Sequence, residues 1–303
     1  MSDIKVFQTD GHVKELPGAS VPVEKSLQTL LERHLEIFLG VRFLDSEYPT
    51  GVVHGGRIDT LGIDENNSPV ILEYKRATNE NVINQGLYYL DWLLDHKAEF
   101  QLLVQQRLGQ SVAEEIDWTA PRLICVAGDY TKYDSHAVQQ IHRHIELFRY
   151  KRYGNDLLLL ELLNVPYDSK LREPRAPIVG SGSGTYKTFD DMIHQADPAL
   201  TDLYEAFKAY MLALGDDIQI KRLKYYEAFK RIRNIACVTV QTQAKTLAVT
   251  VRLNPDAVTL EDGFTRDMRK TGHWGTGDLE ITLRTLADLE KARPLLDQAY
   301  EQS

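Results

Sequence analysis

The apolar residues of the first half of the chain follow two patterns. From Val23 to Leu39 they recur every three or four residues, which predicts an amphipathic helix that Gly40 ends. Pro69 to Lys75 and Pro121 to Ala127 are short, mostly apolar runs, and such runs predict strands buried on both faces of a sheet. A further strand region extends from Gly51 to Asp64.

The elements that follow alternate between helices and strands. We expect a long helix from Asn81 to about Arg107, a helix from Asp134 to Tyr150 and a strand from Leu157 to Leu163. One or two short strands are expected within residues 3–16. Strands that alternate with helices predict an α/β fold, in which a mixed sheet is flanked by helices.

The chain changes character at residues 166–185. Three prolines and a GSGSG run mark this stretch as a linker between a domain of residues 1–165 and a smaller α+β domain of residues 186–303. The second domain is expected to contain helices near 188–195, 198–214 and 286–300, and strands near 235–242, 245–253 and 278–283. Its GHWGTGD loop is rich in glycine but lacks the lysine and spacing of a P-loop, so we assign it no chemistry.

Composition and charge limit the classes of protein. The 303 residues are 43% hydrophobic and 26% charged, as in ordinary globular proteins, and carry a net charge of −9. That acidic total does not favour nucleic acid, although local basic patches decide binding. Cys125 and Cys237 lie in apolar runs and are expected to be buried, reduced thiols. No apolar leader opens the chain and no run reaches about 20 apolar residues, so we expect a cytoplasmic protein without a membrane partner.

The stretch from Gly55 to Tyr89 concentrates the candidate chemistry. Asp59 lies on one predicted strand, and Glu73 and Lys75 lie on the next, after an NNSP hairpin turn. Residues two apart on a strand face the same way, with Cα atoms about 6–7 Å apart. Two carboxylates and a lysine are therefore expected to meet at one edge of the sheet. Carboxylate oxygens suit hard cations such as Mg²⁺.

These residues resemble the PD-(D/E)XK nuclease superfamily. Asp59 matches the motif aspartate, EYK at residues 73–75 matches E-x-K, and Gln85 and Tyr89 match the Q-x-x-x-Y of RecB-type nucleases. The run GRIDTLGID followed by PVILEYKR is similar to the nuclease domain of the NucS/EndoMS mismatch endonucleases. Residues 1–165 most resemble an uncharacterised family, some members of which are labelled "predicted transport protein". The tail from about residue 186 resembles a DUF5655-type domain. The resemblance implies a restriction-endonuclease-like fold.

The resemblance also implies a mechanism. Asp59, Glu73 and the backbone carbonyl of Tyr74 would bind Mg²⁺ or Mn²⁺, and Lys75 would orient the attacking water. Hydrolysis would leave a 5′-phosphate.

Further site residues follow from the same resemblance. Gln85 and Tyr89 would lie at the wall of the site. Related nucleases often place a glutamate of the first helix near the metal, and Glu24 is the candidate here, ahead of Glu47.

Basic residues provide candidate DNA contacts. Arg57 lies two residues before Asp59, and Arg76 directly follows the E-x-K motif. An ion pair within the protein explains Arg57 equally well. In the second domain, the run from 221 to 233 interleaves basic and aromatic residues, an arrangement that can follow a nucleic-acid backbone. The candidate contacts in that run are Lys221, Arg222, Lys230 and Arg231. A solvated basic face explains the same run. We interpret HRHIELFRYKR at residues 142–152 as a helix end, whose basic residues form a solvated face or, alternatively, contact the phosphate backbone.

The sequence therefore predicts a metal-dependent DNA endonuclease, acting in a process such as repair or defence. The alternative is a nuclease fold that binds nucleic acid or protein without cleaving it. DNA is the expected partner ahead of RNA, and a homodimer is left open. The sequence does not distinguish one metal ion from two, nor does it identify the DNA structure that is recognised.

Overall fold

The computed structural model of the chain describes residues 4–19, 24–75, 82–154, 156–164 and 187–303. It divides into two compact units, residues 1–176 and 177–303. The predicted linker, residues 166–185, lies outside the described residues.

The first unit contains a mixed sheet with helices packed against it. Its elements are β1 (Val6–Gln8), β2 (Lys14–Leu16), β3 (Gly18–Ala19), α1 (Glu24–Arg33), α2 (Leu35–Leu39), β4 (Val41–Pro49), α3 (Gly51–His54), β5 (Arg57–Asp64), β6 (Pro69–Lys75), α4 (Val82–Asp95), α5 (Lys97–Leu108), α6 (Gln110–Glu114), β7 (Arg122–Ala127), α7 (Lys132–Gln140), β8 (His144–Tyr153) and β9 (Leu157–Leu162).

The strand order of this sheet is β3-β8-β7-β6-β5-β4, with β9 beside β8, while β1 and β2 form a separate hairpin. The β6–β7 and β7–β8 pairs are parallel, and the other pairs are antiparallel. Helix α4 packs on β6 and β7 through a core that includes Ile71, Leu90 and Leu123. The predicted α/β fold, with a mixed sheet flanked by helices, is confirmed.

Several predicted elements are wrong in extent or type. The helix predicted from Asp134 to Tyr150 ends at Gln140, and the basic run at 142–152 lies mainly in strand β8 rather than at a helix end. Arg149 of that run is 5% exposed and pairs with Glu161 at 2.6 Å. Ion pairs of this kind allow charged residues within a strand that is covered on both faces. The strand then lacks the uninterrupted apolar sequence by which such strands are recognised.

Two predicted helices are each broken once. His34 (φ −132°, ψ 29°) separates α1 from α2, and His96 (φ −112°, ψ 37°) separates α4 from α5. The spacing of apolar residues every three or four positions continues across each single non-helical residue. The sequence therefore does not reveal either break. Strand β4 was not predicted, and the first strand region begins with the short helix α3 before β5.

A buried ion network lies at the end of the sheet where β7 and β8 begin. Arg122 donates to both carboxylate oxygens of Glu146, at 2.6 and 2.9 Å, and to Asp64 Oδ2 at 3.2 Å. Asp64 Oδ1 accepts the backbone N–H groups of Asn66 and Ser68 and so fixes the β5–β6 turn. Burial opposes ionisation of Glu146, but Arg122 holds the pKa of this carboxyl well below its usual range.

The second unit is an antiparallel sheet with helices on one face. Its elements are α8 (Phe189–Gln195), α9 (Pro198–Ala213), β10 (Gln219–Arg222), β11 (Glu227–Lys230), β12 (Asn234–Gln241), β13 (Thr246–Val251), β14 (Thr265–Asp267), β15 (Leu279–Leu283) and α10 (Leu286–Glu301). The strand order is β10-β11-β12-β13-β15-β14. Apolar residues of the three helices share one core with the facing side of the sheet, and the predicted α+β class is confirmed.

Both cysteines are buried and free, as expected. Among the described helices, none is both long enough and apolar enough to cross a membrane.

Candidate functional site

The pairing between β5 and β6 ends where the two motif carboxylates begin. The ladder runs from Ile63–Pro69 to Thr60–Leu72, so the next position in register would place Asp59 opposite Glu73. There the side chains replace the strand-to-strand hydrogen bonds. The Asp59 backbone N–H donates to Glu73 Oε1 at 3.2 Å, and the Tyr74 backbone N–H donates to Asp59 Oδ2 at 2.9 Å. The predicted convergence of the two carboxylates is thus present in the structure.

Glu73 is buried in an environment that disfavours its charge. The residue is 0% exposed, and its Oε2 atom has no hydrogen-bond partner among the described residues. Burial, and then the charge of Asp59, raises the pKa of Glu73 to about 9. A buried carboxylate oxygen without a donor is costly unless it is protonated or bound to a cation.

Lys75 is the nearest cation along the strand. It is half-buried and lies two residues after Glu73, so both side chains project from the same face of β6. Its charge acts to lower the pKa of Glu73, against the larger effects of burial and of Asp59. The structure therefore places an ammonium group on the carboxylate side of the sheet.

Gln85 and Tyr89 meet the strand that carries Asp59. The buried Tyr89 hydroxyl accepts the backbone N–H of Arg57 at 3.3 Å and the Gln85 side-chain amide at 3.4 Å. Gly56 permits this approach, because a Cβ atom there would lie 2.5 Å from the Tyr89 hydroxyl oxygen. Gln85 and Tyr89 thus fix the start of β5.

Helix α1 supports the site from the opposite face of the sheet. Glu32 Oε1 accepts hydrogen bonds from Thr60 Oγ1 at 2.7 Å, Ser46 Oγ at 2.8 Å and Gln28 Nε2 at 2.9 Å. Gln28 also donates to the backbone carbonyl of Asp59 at 2.8 Å. Glu32 is, with Glu24, one of the two acids in the sequence of α1, and nothing in its spacing distinguishes it.

The glutamates proposed from the resemblance have different positions. Glu24 begins α1, but its side chain lies outside the described part of the molecule. Glu47 pairs with Lys25 at 2.9 Å, and that hydrogen bond lowers the pKa of Glu47.

The carboxylates of Asp59 and Glu73 suit a hard divalent cation that takes only a few ligands from the protein and keeps several bound waters. Among the described residues, no three His, Cys, Asp or Glu side chains form a group that could hold a metal. Mg²⁺ commonly binds one or two carboxylates and keeps several waters, and Mn²⁺ accepts the same oxygen ligands. The carboxylates of Asp59 and Glu73, with the orphan Glu73 Oε2, meet that requirement.

The basic residues predicted to contact DNA differ in how exposed they are to solvent. Arg57 is exposed beside the site, and Arg76 lies outside the described residues. In the second unit, Lys221 is half-buried, whereas Lys230 is only 4% exposed and is poorly placed for a phosphate.

The two arginines of the second-unit run have protein partners. Arg222 pairs with Glu227 at 2.7 Å and with Asp190 at 3.0 Å. Arg231 pairs with Asp217 at 2.7 Å. These pairings favour structural roles for both guanidinium groups.

Comparison with known proteins gives a family model, a full-length relative and two solved structures. Residues 189–303 match the model described as "Domain of unknown function (DUF5655)". An "Uncharacterized protein" of Haemophilus influenzae is 31% identical over 315 residues, covering 98% of this chain and 100% of that protein.

The solved structures share a smaller part of the chain. A repair endonuclease from Pyrococcus abyssi is 21% identical with a TM-score of 0.29, over 42% of this chain and 46% of that one. An EndoMS–dsDNA complex is 19% identical with a TM-score of 0.25, over 45% and 47%. This chain therefore spans less than half of either solved structure.

Proposed function

We propose that this chain, which belongs to the family of the Haemophilus influenzae protein, is a Mg²⁺- or Mn²⁺-dependent deoxyribonuclease that hydrolyses internal phosphodiester bonds. The observation that carries the proposal is the opened end of the β5–β6 ladder. It brings Asp59 and a buried, partly orphaned Glu73 together, beside Lys75.

Each residue has a distinct task in this proposal. Asp59, Glu73 and the Tyr74 carbonyl hold the cation. When bound, the cation lowers the pKa of a water and neutralises charge on the scissile phosphate. Lys75 orients the attacking water and stabilises charge that develops on the phosphoryl oxygens. The product would carry a 5′-phosphate.

The supporting residues hold this geometry. Gln85 and Tyr89 fix the start of β5, which also carries Arg57. The exposed Arg57 guanidinium is then available to a DNA phosphate. Glu32 and Gln28 fix Thr60 and the Asp59 carbonyl from α1.

A second candidate follows from the state of Glu73. A carboxyl whose pKa is raised to about 9 is protonated at neutral pH, and a protonated carboxyl is a poor metal ligand. A nuclease fold that binds nucleic acid or protein without cleavage is consistent with that state.

Cleavage assays distinguish the candidates. Supercoiled plasmid and linear, branched and mismatched duplexes are incubated with the full chain in Mg²⁺, Mn²⁺ or EDTA, with a duplex RNA of matching sequence in parallel. The nuclease proposal expects metal-dependent cuts on at least one DNA. Binding without cuts on any substrate supports the silent module, and cuts confined to RNA would replace DNA as the substrate.

A further inference from the structure

Among the described residues of the second unit, the helices pack on one face of the sheet, and the opposite face carries a different set of side chains. Cross-strand partners share a face, and a continuous row of them crosses the sheet. The row runs Lys221, Ala228, Cys237, Thr250, Glu280 and Arg266. Ala228 and Cys237 pack with Tyr226 in a small cluster separate from the core beneath the helices. This second face therefore has its own packing.

The glycine-rich loop is seated on that face. A Cβ atom at Gly275, which has φ +87°, would lie 2.5 Å from Cys237 Cβ. The Thr276 N–H points to Cys237 Sγ at 3.5 Å, and Asn234 Nδ2 donates to Thr276 Oγ1 at 3.0 Å. These contacts fix the backbone directly after the loop's indole residue, Trp274.

Trp274 packs against Tyr225 at the surface, with the two rings tilted. Their ring centroids are 4.3 Å apart with an interplanar angle of 34°. Trp274 remains 37% exposed, and Lys224 Nζ lies 4.9 Å from the Tyr225 ring centroid. An aromatic pair held by a fixed loop, open to solvent and flanked by a cation, is typical of a recognition surface rather than of core packing.

We propose that Tyr225 and Trp274, with Lys224 and Lys221, form a binding site for single-stranded nucleic acid. An unpaired base stacks on the exposed indole, and the flanking phosphates lie near the two lysines. Stacking on aromatic side chains combined with backbone contact by cations is how non-specific single-strand binders work. In a duplex the base faces are covered by their neighbours, so the indole selects single strands. The lysines supply local positive charge on a chain of net charge −9.

The test measures binding without turnover. Anisotropy of a fluorescently labelled thymidine oligonucleotide is followed with the full chain in EDTA, so that metal-dependent cleavage does not contribute. Trp274→Ala and Tyr225→Ala are expected to weaken binding by about 5- to 150-fold, the range for losing one stacked base. Trp274→Phe, which keeps an aromatic face, is expected to retain most of the affinity. Lys224→Ala should lower the log–log salt slope by about 0.7.

Tyr133 provides a matched control. It is 72% exposed and has Lys132 Nζ 5.1 Å from its ring centroid, so it repeats the chemistry of the site in the first unit. Tyr133→Ala is expected to bind like the parent. Thermal midpoints of all variants confirm folding, and Trp274→Phe keeps the test valid if an alanine variant does not fold.

The proposal is overturned by any of three results. In the first, the parent does not bind the oligonucleotide. In the second, the parent and Trp274→Ala bind it with equal affinity. In the third, polyglutamate displaces the labelled oligonucleotide as effectively as unlabelled oligonucleotide does. None of them bears on cleavage, because the Asp59 site is not used in this assay.

Discussion

Asp59 and Glu73 are joined through backbone and side chain at the point where their strands separate. The Asp59 N–H donates to Glu73 Oε1 at 3.2 Å, and Asp59 Oδ2 accepts the N–H of Tyr74, the residue after Glu73. The backbone therefore positions both carboxylates, although two like charges in proximity oppose each other's ionisation. A cation removes that conflict, and this relationship underlies the first two predictions.

Replacing either carboxyl group with an amide should weaken metal binding while the fold is retained. Asp59→Asn and Glu73→Gln are each expected to lose most Mn²⁺ affinity, measured by calorimetry, and most metal-dependent plasmid cleavage. Lys75→Met should keep Mn²⁺ affinity but lose turnover, because its task is assigned to the water and the transition state. Parent-like metal affinity and activity in both carboxylate variants would show that the nuclease assignment is wrong.

Glu73 should make the apo protein less stable as pH rises. Its folded pKa of about 9 lies above the unfolded value of 4.5, so between these values the folded state holds a proton that the unfolded state does not. The free energy of unfolding then falls with pH, by up to about 1.4 kcal/mol per unit for one proton. Glu73→Gln should remove that contribution between about pH 5 and 9, as measured by urea unfolding in EDTA.

The decisive comparison is the difference in the free energy of unfolding between the parent and Glu73→Gln, measured across the pH range. At pH 5 the two should be close in stability, and at pH 9 the variant should be the more stable. Parallel stability curves for the two proteins would mean that Glu73 does not retain its proton in the fold.

The sequence could predict the part of the site that follows from strand alternation and motif order. Asp59, Glu73 and Lys75 lie on the predicted strands, and the NNSP turn joins them as expected. Glu32 could not be found this way, because its role depends on how α1 packs against Thr60 across the sheet. Contacts between elements that are far apart in the chain produce no repeating pattern of residues that could be recognised in the sequence.

The errors in the fold have a similar cause. Strand β8 was predicted as helix because Glu146 and Arg149 interrupt its apolar pattern, and only the structure shows that each is matched by an opposite charge. The broken helices at His34 and His96 depend on single backbone conformations. The role proposed for Trp274 could not be found in the sequence, because it depends on the packing of its loop over Cys237.

Gly56 should tolerate no side chain. Its Cβ position lies 2.5 Å from the Tyr89 hydroxyl oxygen and 2.8 Å from a ring carbon, so Gly56→Ala must displace either the ring or the start of β5. Overpacking of this kind costs about 1–3 kcal/mol. We expect a lower thermal midpoint and slower cleavage, because Asp59 follows three residues later. Gly272→Ala is the control, since nothing lies within 4 Å of its Cβ position. Equal effects of the two substitutions would contradict this explanation.

Arg122 should be among the most important charged residues for stability. Arg122→Ala leaves Glu146 and Asp64 buried without their shared cation, and breaking a buried pair in this way costs about 3–5 kcal/mol. Chemical denaturation measures the loss. Glu290→Ala removes one partner of an exposed pair with Arg293 and is expected to change stability by less than about 1 kcal/mol. A small effect of Arg122→Ala would show that water or rearrangement satisfies the two carboxylates.

Glu32 should act as a positioning residue for Asp59. Its Oε1 accepts hydrogen bonds from the side chains of Thr60, Ser46 and Gln28. Gln28 in turn donates to the backbone carbonyl of Asp59. Groups that orient metal ligands typically contribute about 10–100-fold to affinity or activity. We expect Glu32→Ala to lower Mn²⁺ affinity and cleavage by that range, while Glu32→Gln, which keeps an acceptor oxygen, restores part of both.

The control for Glu32 is Glu36→Ala, which removes an exposed glutamate from α2 and should leave metal affinity and cleavage unchanged. A purely structural role predicts a different result. In that case Glu32→Ala would lower the thermal midpoint, yet its folded fraction would bind Mn²⁺ and cleave DNA like the parent. Titrating Mn²⁺ at a temperature well below both midpoints separates these cases, because only a positioning role changes the affinity of the folded protein.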